Sequence, residues 1–84
     1  MILSVYLSKE DREISVEECG FSTRVLHAMR RRGIDKVGQI ISNLPLLIKT
    51  PGFGLHCYEE ICDYFVQMQI ERFGIDVVRE RLHD

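Results

Sequence analysis

Apolar side chains recur at spacings of three and four through most of this chain, and the elements they predict are short helices. The longest pattern is Leu55, Tyr58, Ile61, Cys62, Phe65 and Met68, one core-facing stripe that predicts a helix over 55–70, with Glu59, Glu60 and Asp63 outside it. Val25, Leu26 and Met29 predict a second helix over 23–32. Ser22 is suited to cap its start, arginines fill its last turn, and Gly33 follows its end. Between these two, Val37, Ile40 and Ile41 predict a helix over 36–42 with Asp35 as its cap and Gly38 permitting close packing. Pro45 suits the first turn of a short helix over 46–49, and the near-continuous Leu44, Leu46, Leu47 and Ile48 predict burial on most of its sides.

The two ends are less periodic. Leu3, Val5 and Leu7 alternate with Ser4 and Tyr6, which fits a short strand or an extended arm, and the charged run 8–13 reads as a turn or a frayed helical turn. Ser15 is placed to cap a single turn that carries Glu17 and Glu18 and stops at Gly20. Phe73-Gly74 breaks the long helix, and Asp76 caps a last one through Leu82, whose Val77, Val78 and Leu82 pack on the core or on a partner. The expected architecture is all-α: a compact bundle of four to five short helices. It divides into an arm at 1–13, a helical domain at 14–74 and a helical extension at 75–84.

The segment that organises this pattern is Lys49-Thr50-Pro51-Gly52-Phe53-Gly54-Leu55. Gly52 and Gly54 can both take φ > 0 and let backbone approach a ligand closely, while Phe53 can anchor the turn in the core. The helix that starts here leaves its first amides without intrahelical partners at its positive dipole end, which suits a phosphate. A tight turn that only reverses the chain is the alternative.

Charge sharpens this picture. The net charge is −2, but residues 1–21 carry −3, residues 22–49 carry +5 and residues 50–84 carry −4. One basic third between two acidic ones can present a local cationic face to a polyanion, although the overall balance predicts only modest affinity. Arg24, His27 and Arg31 share one face of the helix over 23–32 with Ala28 between them, either as a solvated row or as a binding row.

Composition mainly excludes. At 84 residues the chain is one domain with a small core. No apolar run approaches the roughly 20 residues of a membrane span, and the apolar start lacks a basic leader. Three cysteines without paired spacing point to a reducing, cytoplasmic setting. Neither a nucleophile–base spacing nor a metal-ligand spacing is present. His27, His56, Cys57 and Cys19 make no recognisable ligand set, so no enzyme activity, cofactor or metal is expected. Cys62 reads as a buried structural thiol, and Cys57, at a helix start, as one whose ionisation is eased.

Taken in order, several pieces carry a family likeness: Val16-Glu17-Glu18, Phe21-Ser22-Thr23-Arg24, Gly33-Ile34-Asp35-Lys36-Val37-Gly38, Lys49-Thr50-Pro51-Gly52-Phe53-Gly54 and Glu60-Ile61. Over 14–70, about two thirds of its length, the chain resembles the C-terminal domain of the bacterial RNA polymerase alpha subunit. The resemblance implies a five-helix module with helix-hairpin-helix-like turns that binds the minor groove of promoter DNA and is contacted by activators. By position it places the main DNA contact at Arg24 and the hairpin glycine at Gly54. Where the family has an asparagine the sequence here has His27, and where it has a lysine and a serine the sequence has His56 and Cys57. The expected DNA-binding set is therefore Arg24, His27, Arg30, Arg31, Gly52, Gly54, His56 and Cys57. The expected partner is double-stranded, A·T-rich DNA held weakly, with RNA polymerase or a transcription regulator as a possible protein partner and no membrane. A protein-interaction domain that kept the fold and lost the DNA is the alternative, as is a piece of a longer subunit rather than a free-standing relative.

Overall fold

A computed structural model of the protein describes residues 5–83, with side chains through residue 80. The positions of Leu3 and Ser4 and the side chain of Leu82 lie outside those residues. Five helices follow one another: α1 (Lys9–Arg12), α2 (Thr23–Arg31), α3 (Leu44–Ile48), α4 (Leu55–Phe73) and α5 (Ile75–His83). Two single 3-10 turns, Val16–Glu18 and Val37–Gln39, lie before and after α2.

The local signals at Ser22, Gly33 and Gly74 act as expected, whereas Asp76, expected to cap the last helix, lies inside the first turn of α5. Ser22 Oγ accepts from the Val25 amide at α2's start. Beyond its end Gly33 sits at φ +72, where the Ile34 amide donates to Met29 O at 2.9 Å and the Gly33 amide to Arg30 O at 3.1 Å, a Schellman closure. Gly74, at φ +88, separates α4 from α5.

The helix expected over 36–42 does not form beyond the 3-10 turn Val37–Gln39. Its lead-in is used elsewhere: the Val16 amide donates to Asp35 O at 3.0 Å, and the Val37 amide to Ile14 O at 2.9 Å. Asp35 and Lys36 are thereby drawn into an extended bridge against Ser15. Gln39, rather than Asp35, supplies the capping group, accepting from the Asp35 and Lys36 amides at 2.8 and 3.0 Å. Gly38 is there for contact, because a Cβ on it would lie 2.8 Å from Arg12 Cβ.

Around α4 the core collects Val16, Phe21, Val25, Met29, Ile34, Val37, Ile40, Leu47, Phe53, Cys57, Ile61, Phe65 and Met68. The expected stripe holds at Ile61, Phe65 and Met68, but its first turn is rotated. Cys57 is buried, and Leu55 is 69% exposed. At 100° per residue, Leu55 is about 600° from Ile61 and points well off the core face, whereas Cys57 at i−4 lies on it. Along α3 only Leu47 is fully buried, and Leu46 and Ile48 are about half exposed. A five-residue helix has a single face to present to the core.

The N-terminal segment is held to α4. Val5 and Leu7 pack against the core. The Gln69 carboxamide pairs with both backbone groups of Tyr6, at 3.0 and 3.3 Å, which is why a glutamine is tolerated in the interior. Asp11 closes a capping box with Ser8 over α1 and forms an ion pair with Arg72 of α4.

Candidate nucleic-acid interface

Helix α2 and the turn before α4 form two walls, and both are braced. At its N-terminus α2 has Val25 at N3, where a capping box would place Glu or Gln, so the Ser22 amide needs a partner from elsewhere. Glu60 of α4 provides it, accepting from the Ser22 amide and, at 2.9 Å, from Ser22 Oγ. Beyond the other end of α2, Arg32 Nε donates to Thr50 Oγ1 at 2.7 Å, and Thr50 in turn donates to Leu46 O at 2.9 Å. Thr50 is buried and opens the turn.

The turn has the geometry that its residues require. The Phe53 amide donates to Thr50 O at 3.0 Å across Pro51 and Gly52, with Gly52 at φ +85. Proline at the first central position and φ > 0 at the second make a type II turn. Phe53 is buried and anchors it.

Between the walls lies an open cleft of about 540 Å³, lined by Thr23, Arg24, His27, Ala28 and Arg31 of α2 and by Pro51 and Gly52. No carboxylate lines it. Arg24 and Arg31 form no ion pair with the described residues, whereas two other cations of the basic third are compensated. Arg30 meets Glu17 at 2.9 Å and Lys36 meets Glu13 at 2.7 Å. The cleft is thus a site of uncompensated positive charge on a protein of net charge −2.

Four of the eight expected contact residues, Arg24, His27, Arg31 and Gly52, come together here. Arg30 is exposed but turned to Glu17. Gly54 lines a neighbouring apolar groove of about 360 Å³ with Ile48, Phe53, Leu55 and Tyr58. Its φ of −112° and ψ of −170° are ordinary extended backbone, so of the two glycines only Gly52 supplies a left-handed conformation. His56 is exposed in α4's first turn, with Nδ1 4.0 Å from Glu59 Oε2.

Cys57 is a correction. Its thiol is buried in the core and cannot meet a ligand, while Cys62, expected inside, is only half-buried. At 100° per residue Cys57 lies about 40° from the core-facing Ile61 and Cys62 about 100°, which exchanges the two. The first-turn amides of α4 have no intrahelical partners, and Gly54 has no side chain with which to cap them. Thr50, Arg32 and Glu60 carry no signal of binding in the sequence, yet they hold the walls. The missing capping-box residue at Val25 was the one local hint that a partner such as Glu60 was needed.

Residues 6–66 match the family of the C-terminal domain of the bacterial RNA polymerase alpha subunit. The protein belongs to that family. The alpha C-terminal domain is a non-catalytic, transcription-related DNA-binding domain, and the all-helical fold agrees with it. Among curated proteins the sequence is 42% identical over 55 residues to the DNA-directed RNA polymerase subunit alpha of Thermus aquaticus, which covers 64% of this chain and 18% of the relative. It is 41% identical over 54 residues to the same subunit of Thermus thermophilus, covering 63% of this chain and 17% of the relative. The sequence therefore spans less than a fifth of these relatives. No solved structure matches it. Among the described residues no helix is long and apolar enough to cross a membrane.

Proposed function

We propose that this alpha C-terminal domain is a DNA-binding module acting in transcription in the cytoplasm, and that the α2–turn cleft grips duplex DNA by its backbone and minor groove with little base readout. The observation that carries this reading is the cleft itself: two arginines without an ion pair among the described residues and a histidine on one helix face, opposite turn backbone, with no lining carboxylate. Arg24 and Arg31 lie two helical turns apart, about 10 Å along the axis, so they reach different phosphates. A guanidinium is also drawn to the narrow minor groove of A·T-rich tracts, where negative potential concentrates. We read the amides of α4's first turn, which no side chain caps, as a further phosphate contact. The net charge of −2 argues for weak binding that fades quickly with salt.

The test is fluorescence anisotropy of an A·T-rich duplex across about 50 to 200 mM salt. Arg24→Ala should lower the salt slope by about 1, with Arg79→Ala on α5 as the comparison. Equal slopes for both variants would remove the cleft from the mechanism.

A second reading, a protein-contact domain, is favoured by exposed apolar side chains outside the cleft. Leu55 borders the groove beside Gly54, and Ile75 and Val77 lie on α5. Such a domain would associate with RNA polymerase or a regulator in a pull-down and leave the duplex unbound.

A further inference from the structure

We propose that His27 takes up a proton when the cleft receives a DNA phosphate, so that the domain holds DNA more tightly as pH falls through the imidazole range. This rests on the reading of the cleft as the DNA face.

His27 is exposed on the cleft wall, with Arg24 three residues before it and Arg31 four residues after it on the same face of α2. The facing wall, Pro51 and Gly52, carries no ionisable side chain, and neither Thr23 nor Ala28 adds one. Three other charged groups on or against α2 are engaged elsewhere. Arg30 is held by Glu17 of the first 3-10 turn, Arg32 is bonded to Thr50, and Glu60 of α4 is bonded to Ser22. The imidazole therefore sits between cations, with no carboxylate lining the cleft.

A phosphate reverses that field. An anion within about 4–6 Å favours the protonated ring, and protonation turns both ring nitrogens into donors. One added cation then lies between two arginines at the position where the phosphate charge is shared. Because the coupling is reciprocal, a phosphate that favours imidazolium is itself bound more tightly by imidazolium. Carboxylates are ionised throughout the window from about pH 5.5 to 7.5, so histidines are the side chains whose ordinary range falls inside it. Of the three histidines, His56 lines neither wall and lies 4.0 Å from Glu59.

The experiment is anisotropy of the A·T-rich duplex at fixed salt over that pH window, for the unaltered protein and for His27→Gln, whose fold is checked by circular dichroism. Beside it, the His27 ring resonances are titrated by NMR with and without duplex. Affinity should rise up to about tenfold from the top of the window to the bottom, as a one-unit shift of the imidazole on binding requires. The salt slope should steepen by about 0.9 over the same range. His27→Gln should flatten both, and duplex should move the His27 titration midpoint upward. A His27→Gln profile that keeps the full pH dependence, as it would if His56 carried it, overturns the proposal. So does a His27 midpoint that duplex leaves in place. Binding that needs Arg24 yet ignores pH defeats this inference alone, whereas a duplex left unbound at every pH defeats the reading of the cleft as well.

Discussion

Serine in place of Gly54 is expected to stabilise this domain, while the same change at Gly52 destabilises it. Gly54 sits at the N-cap of α4 in extended backbone, and a Cβ built on it meets nothing within 4 Å. A serine there relieves the unfolded state of a glycine's freedom, which contributes about 0.4–1 kcal/mol. Its hydroxyl can accept from the first-turn amides, worth a few tenths of a kcal/mol over glycine at a cap. The two gains together give about 1 kcal/mol, or roughly 4–8 °C in Tm for a domain of this size. At Gly52, φ +85 imposes about 1–2 kcal/mol on any L residue. That exceeds the same entropic gain, so Gly52→Ser should be destabilised by about 0.5–1 kcal/mol. Urea unfolding followed by circular dichroism at constant m reads both shifts. Destabilisation by Gly54→Ser, or equal shifts at the two positions, would refute the geometry assigned to the turn. The same Gly54→Ser protein should bind duplex a few-fold more weakly, because the hydroxyl occupies amides that a phosphate would use. Unchanged affinity would take those amides out of the proposed contact.

Gly38→Ala should cost about 1–3 kcal/mol in urea unfolding, because its Cβ would lie 2.8 Å from Arg12 Cβ and 3.1 Å from Arg12 O. A neutral result would mean that α1 is not held against the Val37–Gln39 turn. Burial, with the Cys19 thiol beside it, raises Tyr64 far above the usual phenol range, and burial likewise raises Cys19 above its usual 9.0. The folded state then keeps protons that the unfolded state gives up, so stability is full below about pH 9 and is lost as pH rises past about 10. Urea midpoints should fall through that range and fall less steeply in Tyr64→Phe, which keeps the ring against Phe21 and Phe65. Equal slopes for the two proteins would contradict the assignment.

Where sequence and fold agree, the physics is local. Ser22 caps its own helix, and Gly33 and Gly74 stop helices through conformations that glycine adopts at little cost. Pro51-Gly52 makes its turn from the φ preferences of two residues. The row Arg24, His27, Arg31 follows from 3.6 residues per turn and nothing else. Such signals are complete within a few residues, and so they are legible before any tertiary contact exists.

What the fold alone decided depends on partners distant in sequence. Periodicity admits two stripes on α4 that share Ile61, Phe65 and Met68, and packing chose the one that buries Cys57 and exposes Leu55. The segment after Asp35 has the apolar spacing of a helix, but long-range backbone bonds from Val16 and to Ile14 drew its start into a bridge. Arg24 and Arg30 look alike in a charge count, and only the position of Glu17 compensates one and leaves the other facing the cleft. Helix propensity and capping act over one or two turns. A cleft needs two walls, and these are joined by Ser22–Glu60 and Arg32–Thr50, pairs 38 and 18 residues apart.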